Sequence, residues 1–192
     1  MKYLKPIKDN KILKRIAQNL KRNGEIRNYL LYVMGINCGL RSCDLLKLKV
    51  RDVFKNEQPV DEFRIIQQKT NRPHYVFING DMKKALKYWH KNTKDKSPDS
   101  YIFKSKRSDK AITGTIVHGL INRWVTEPNV ALDQDVGCHT LRKSFAFALY
   151  ERGAPLEVIA EALGHKNIAH IITYIGIDSK NVRDHVNGLN LV

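Results

Sequence analysis

Residues 137–175, GCHTLRKSFAFALYERGAPLEVIAEALGHKNIAHIITYI, decide how this chain is read. His139 and Arg142 stand at HxxR spacing, Leu163-Gly164-His165 follows, and Tyr174 lies nine positions beyond His165. Residues three apart on a helix are neighbours, so His139 and Arg142 present two phosphate-liking side chains on one face. The start of that helix adds unpaired N–H groups and the positive end of its dipole, which suits an anion. Leu141, Phe145, Ala148 and Leu149 form the buried stripe, leaving His139 and Arg142 toward its edge. Gly153 ends the helix and Pro155 suits the first turn of the next. Leu156, Ile159, Ala160 and Leu163 pack that second helix and Gly164 closes it, so His165 falls in a turn. Tyr174 reads as part of a third helix with Ile168, Ile171, Ile172 and Ile175. A phenol beside cations able to hold a phosphodiester is a candidate nucleophile.

Working upstream, GLRSCDLLKLKVRDV (residues 39–53) places Arg41 after a glycine corner with Asp44 close behind. That carboxylate is expected to brace the guanidinium. QQKTNRP (residues 67–73) sits between two strand-like runs, 62–68 and 74–78, and its Asn and Pro favour a hairpin turn carrying Lys69.

HTLRKSFA, then LGH, then a tyrosine nine residues on, resembles the catalytic core of the tyrosine recombinases, the phage integrase family. Arg41, with Asp44, stands in that family's first-arginine segment, and Lys69 falls where it places a catalytic lysine. The likeness runs over about residues 25 to 176, with a tail at 177–192. It implies an α+β fold, mostly α-helical, with a small three-stranded antiparallel sheet in one catalytic domain. Members usually carry an N-terminal helical DNA-clamping domain; here about twenty-five residues precede the matching region, which implies a catalytic fragment or a small single-domain member.

The resemblance also implies roles. Arg41 and Arg142 clamp the phosphate, and His165 donates a further hydrogen bond to it. Tyr174 attacks and holds the DNA as a 3′-phosphotyrosyl ester. Lys69 protonates the departing 5′-oxygen, and His139 assists proton transfer at the tyrosine. No metal or other cofactor is implied. A free tyrosine, with a pKa near ~10, is a poor nucleophile at neutral pH; two arginines are expected to lower that cost. Either arginine is expected to be removable without loss of the fold. The partner implied is double-stranded DNA, with a homo-tetramer on paired sites, monomers in isolation, and accessory DNA-bending proteins. The C-terminal segment packs on a neighbouring protomer in the family.

Charge supports a polyanionic partner on its own. Thirty-four Lys and Arg against nineteen Asp and Glu give a formal +15. The chain shows no long apolar run and no visible signal peptide, which disfavours a membrane. Cys38, Cys43 and Cys138 are too few for a disulfide framework and are expected to be reduced, in the cytoplasm.

The remaining chain reads mostly as helices. Residues 8–22 place Ile12, Leu13, Ile16 and Leu20 at helical spacing, capped by Asn10 and stopped at Asn23-Gly24. Residues 25–37 are richer in apolar side chains, with Gly35 marking close packing. Residues 50–54 read as a short strand. Residues 80–92 form an amphipathic helix with Met82, Leu86 and either Trp89 or Tyr88 inward, and Thr113 precedes another. The basic run at 104–110 is either a solubilising loop or a DNA contact. A final helix is expected from Asp178 to His185.

Two other readings stand beside the first. A non-catalytic module would use residues 155–175 as a helix-turn-helix, though its second helix is largely apolar and reads few base edges. A metal site from Cys138, His139, His165 and His170 fits no familiar zinc spacing.

Overall fold

The computed structural model describes residues 4–165, 167–176, 183, 186 and 187. It opens with α1 (Asn10–Arg22) and α2 (Ile26–Asn37), followed by two short helical turns, α3 (Ser42–Leu45) and α4 (Val50–Val53). Strands β1 (Phe54–Lys55), β2 (Gln58–Pro59), β3 (Glu62–Ile66) and β4 (Pro73–Phe77) come next. The rest is helical: α5 (Gly80–Asn92), α6 (Gly114–Thr126), α7 (Cys138–Glu151), α8 (Leu156–Leu163) and α9 (Ala169–Ile175). Among the described residues, no helix is long and apolar enough to cross a membrane. Cys38, Cys43 and Cys138 carry free thiols.

The α+β reading holds, but the strands form two separate two-stranded antiparallel ladders instead of one three-stranded sheet. The reason lies at residues 50–54. The Asp52 carboxylate accepts from the Lys49 backbone N–H at 2.7 Å and caps Val50–Val53 as a helical turn, so only Phe54 enters a strand. Asn56 and Glu57 then both take left-handed conformations and fold β1 straight back on β2. The second ladder pairs Phe63 with Val76 and Ile65 with His74, turning Phe63, Val76 and His74 inward. Its connecting loop holds Lys69.

Local chemistry explains most helix ends. Asp9, and not Asn10, caps α1, accepting from Lys11 N at 2.6 Å. Asn79 and Thr113 cap α5 and α6 through their side chains. In α5 it is Trp89 that turns inward with Met82 and Leu86. The helix expected from Asp178 to His185 lies outside the described residues except for Arg183.

Helix α7 is the wall that two cores share. On one side, α1, α2, α5 and α6 bury a large cluster that includes Tyr32, Met34, Trp124 and Leu141. On the other, Ala146 joins Ile159, Ala160, Leu163, Ile171 and Ile175 from α8 and α9. Close approach is needed: a Cβ on Gly35 of α2 would lie 2.6 Å from Leu141 Cδ1. Because neighbours enclose it on two sides, α7 buries Arg142, Lys143 and Ser144 with Leu141, Ala146 and Phe147, while Phe145, Ala148 and Leu149 of the expected stripe are only half-buried. The sequence placed Arg142 at an edge; the fold encloses it.

Candidate active site

Arg142 is the centre of the site and is only 2% exposed. Its guanidinium is held three ways. Nε donates to Tyr174 Oη at 3.2 Å, Nη2 donates to the Leu163 carbonyl at 2.8 Å, and Nη1 donates to the Gly39 carbonyl. A guanidinium has five N–H donors; with three engaged, two are left for a ligand. The Gly39 carbonyl is aimed by a left-handed backbone (φ +62°), and a Cβ there would sit 2.6 Å from the Phe145 ring. Glycine at 39 therefore serves both the turn and the arginine. Arg142 thus ties the start of the Arg41 segment, the end of α8 and the candidate nucleophile together. That binding role gives Arg142 a structural load besides any chemical one.

Tyr174 reaches Arg142 because α9 packs Ile171 and Ile175 into the smaller core. The exposed side of α9 carries Ile172 while Tyr174 is held against Arg142, so this helix offers little to read base edges, which counts against the helix-turn-helix reading. The His165 ring stands edge-on to Tyr174, with centroids 5.3 Å apart. His165 lies just past Gly164, whose left-handed backbone caps α8. Its own N–H donates to Ala160 O at 2.8 Å, which fixes the turn.

Burial pushes the Tyr174 phenol above its ordinary pKa, and Arg142 and Arg41 offset that only in part. The arginines act in the expected direction, and burial outweighs them. In the free protein the phenol keeps its proton, and desolvation is the reason. His139, in the first turn of α7, is shifted the other way. Burial lowers its pKa, and Arg142, Lys143, Arg41 and Lys69 lower it further. Lys69 sits on the exposed hairpin turn, yet its charge is felt at His139, so the hairpin brings it to the same space. Burial also lowers the pKa of Arg142, with Arg41 adding repulsion. The structure therefore gathers Arg41, Lys69, His139, Arg142, His165 and Tyr174 around one crowded positive centre.

Asp44 does not brace Arg41. Its Oδ1 accepts from the Gln68 backbone N–H at 2.8 Å, and among the described residues it makes no hydrogen bond or ion pair with Arg41. The carboxylate anchors the base of the Lys69 hairpin instead. Arg41 Nη1 is buried with no hydrogen-bond partner, a donor that an anion would satisfy. Nor do three His, Cys, Asp or Glu side chains gather among the described residues as a metal would require; the Cys138 thiol donates to Gly114 O at 3.1 Å.

Two features escaped the sequence. Lys143 Nζ lies over the Tyr174 ring, 5.3 Å from its centroid, and donates to Leu4 O at 2.8 Å. Its position next to Arg142 gave no sign, because consecutive helical residues point apart. The N-terminal segment also lies along α7. Ile7 is buried and its N–H donates to Ser144 Oγ at 2.8 Å, while Lys8 Nζ donates to the Gly176 carbonyl that ends α9, at 3.1 Å. In the basic run, Lys104 is paired with Asp95 and Asp109 at 2.8 and 2.6 Å, so this lysine is engaged within the chain.

Comparison with known proteins bears on family and fold. The phage integrase family is matched over residues 8–181. A probable integrase/recombinase of Bacillus subtilis, YoeC, is 28% identical over 183 residues, which cover 95% of each chain. The chain spans about half the length of the other curated recombinases it matches, such as those of Pyrococcus horikoshii and Methanocaldococcus jannaschii. The crystal structure of XerA recombinase superposes with a TM-score of 0.76 at 19% identity, over 97% of this chain and 66% of that one. XerH bound to its palindromic difH substrate after cleavage gives 0.72 at 22%, over 94% and 51%. The chain belongs to the phage integrase family of tyrosine recombinases.

Proposed function

We propose that this chain cuts and rejoins double-stranded DNA at specific sites, with Tyr174 as nucleophile. The observation that carries the reading is the hydrogen bond from Arg142 Nε to Tyr174 Oη, which sets a phenol on the rim of a cation cluster with donors to spare. In this reading the scissile phosphate enters between Arg41 and Arg142 and takes the donor that Arg41 leaves unpaired and the two N–H groups remaining on Arg142. Charge that builds on the non-bridging oxygens meets donors already in place, which is where catalytic electrostatics gain most. His165 donates to the same phosphate.

Tyr174 Oη bonds to phosphorus as the bond to the 5′-oxygen breaks. The phenol's proton passes to His139, whose lowered pKa keeps it neutral and able to accept near pH 7. Lys69 gives a proton to the leaving 5′-oxygen. The 3′-phosphotyrosyl ester keeps the bond energy, and attack by another strand's 5′-hydroxyl reverses the steps. Completed exchange would engage four such centres on two paired sites.

The test is trapping. Nicked suicide duplexes incubated with the chain should give an SDS-stable, protease-sensitive adduct, and Tyr174→Phe should give none. An adduct that survives Tyr174→Phe means the nucleophile is another residue. DNA binding should weaken steeply with added salt as counterions compete; a flat response would remove the electrostatic basis of the reading.

A further inference from the structure

Gln67 lies where the Lys69 hairpin meets the end of α8, and it is only 2% exposed. Its backbone closes the turn, with the N–H donating to Arg72 O at 2.9 Å and the carbonyl accepting from Asn71 N at 2.8 Å. Its side-chain Oε1 accepts from Thr70 Oγ1 at 2.9 Å, one residue past Lys69. The other end of the amide packs on Gly164. A Cβ there would collide with Gln67 Nε2 and lie 3.1 Å from Cδ and from Oε1. Gln67 Nε2 is buried without a partner. An orphaned buried donor is costly, and an apolar side chain of the same length would fill this space without one. Packing alone does not account for the amide, whereas its grip on Thr70 does.

We propose that Gln67 is a positioning residue that sets the Lys69 turn against the Gly164–His165 turn, holding the proton donor at a fixed reach from the phosphate. The inference rests on the reading of Lys69 as donor to the leaving oxygen. In that step the Tyr174 Oη–P bond forms and the P–O5′ bond breaks. The electron pair leaves with O5′, which takes the proton from the Lys69 ammonium, while the phenol's proton goes to His139.

The experiment replaces the leaving oxygen by sulfur in the nicked duplex that gives the Tyr174 adduct. A thiolate departs without a proton donor, so variants whose only defect is proton delivery recover on the sulfur duplex. Gln67→Met keeps the buried volume and loses the acceptor. Thr70→Val removes the other end of the same hydrogen bond from an exposed site, and so serves if Gln67→Met does not fold. Lys69→Ala should lose roughly 10²-fold or more on the oxygen duplex, and the two positioning variants ~10–100-fold. All three should return close to the wild-type rate on the sulfur duplex. Equal slowing of Gln67→Met and Thr70→Val on both duplexes, or no slowing on either, overturns the proposal while Lys69 stands. Failure of Lys69→Ala itself to recover overturns the donor assignment, and the proposal with it.

Discussion

The two halves of the site are built differently. Arg142 and Tyr174 are held in the interior, on helices that share a core, and Arg142 also serves as a bolt between α8 and the Gly39 corner. Lys69 is exposed on a hairpin turn, held from below by Asp44 and Gln67. On the buried side chemistry and folding are one property, because the guanidinium whose remaining N–H groups face the substrate's place also completes the structure. On the hairpin side they separate, since the reactive group makes no contribution to the core.

That contrast can be broken or sharpened by substitution, and the largest effect should come at its centre. Arg142→Ala should abolish the adduct and also lower stability by about 2–6 kcal/mol, because the carbonyls of Gly39 and Leu163 lose a buried donor at roughly 1–3 kcal/mol each. Urea unfolding read beside trapping checks it; an inactive variant with wild-type stability would show that the bolt is not structural. Tyr174→Phe is the counterpart, equally inactive but losing only the partner of Arg142 Nε, at roughly 1–3 kcal/mol. Arg41→Ala should come next, losing ~10²–10³ in cleavage rate with the unfolding midpoint little changed.

Gly39→Ala should cost about 2 kcal/mol or more from its left-handed backbone and the Phe145 ring it would strike. Thermal unfolding reads it, and a neutral outcome would mean the corner can relax. The smallest effect concerns acid. His74 and His139 both have folded pKa values below the ordinary value near ~6.5, with burial the main cause. The unfolded chain therefore binds more protons in the window just below that value, and stability should fall as the pH drops through it and hold above it. His74→Gln should flatten that slope; an unchanged slope would assign it elsewhere.

Much of this was legible in the sequence because it was local. HxxR on one helix, a glycine stop before His165, and an Asn-Pro hairpin around Lys69 each follow from spacing and turn chemistry, and the structure has them. What escaped depended on approach between distant segments. Asp44 looked like a partner for Arg41 three residues away but is used by Gln68, twenty-four residues on. Burial of Arg142 depends on both cores closing on α7, and no pattern within α7 announces it. Residues 50–54 read as a short strand, and the Asp52 cap turns the first four of them into a helical turn. The net rise of the Tyr174 pKa escaped for the same reason: neighbouring charges can be guessed from motifs, while the depth of burial cannot.

The contact of Lys8 with the Gly176 carbonyl, 168 residues apart in sequence, bears on the order of events during synthesis. Chains emerge from the ribosome with the N-terminal side first. The segment that clasps α9 is therefore made before α9 itself. Arg41, Lys69 and Arg142 are all made before Tyr174, but the smaller core that encloses Arg142 needs Ile171 and Ile175 and so closes only once α9 is present. Clasp, core and nucleophile are completed together, when synthesis has passed residue 176.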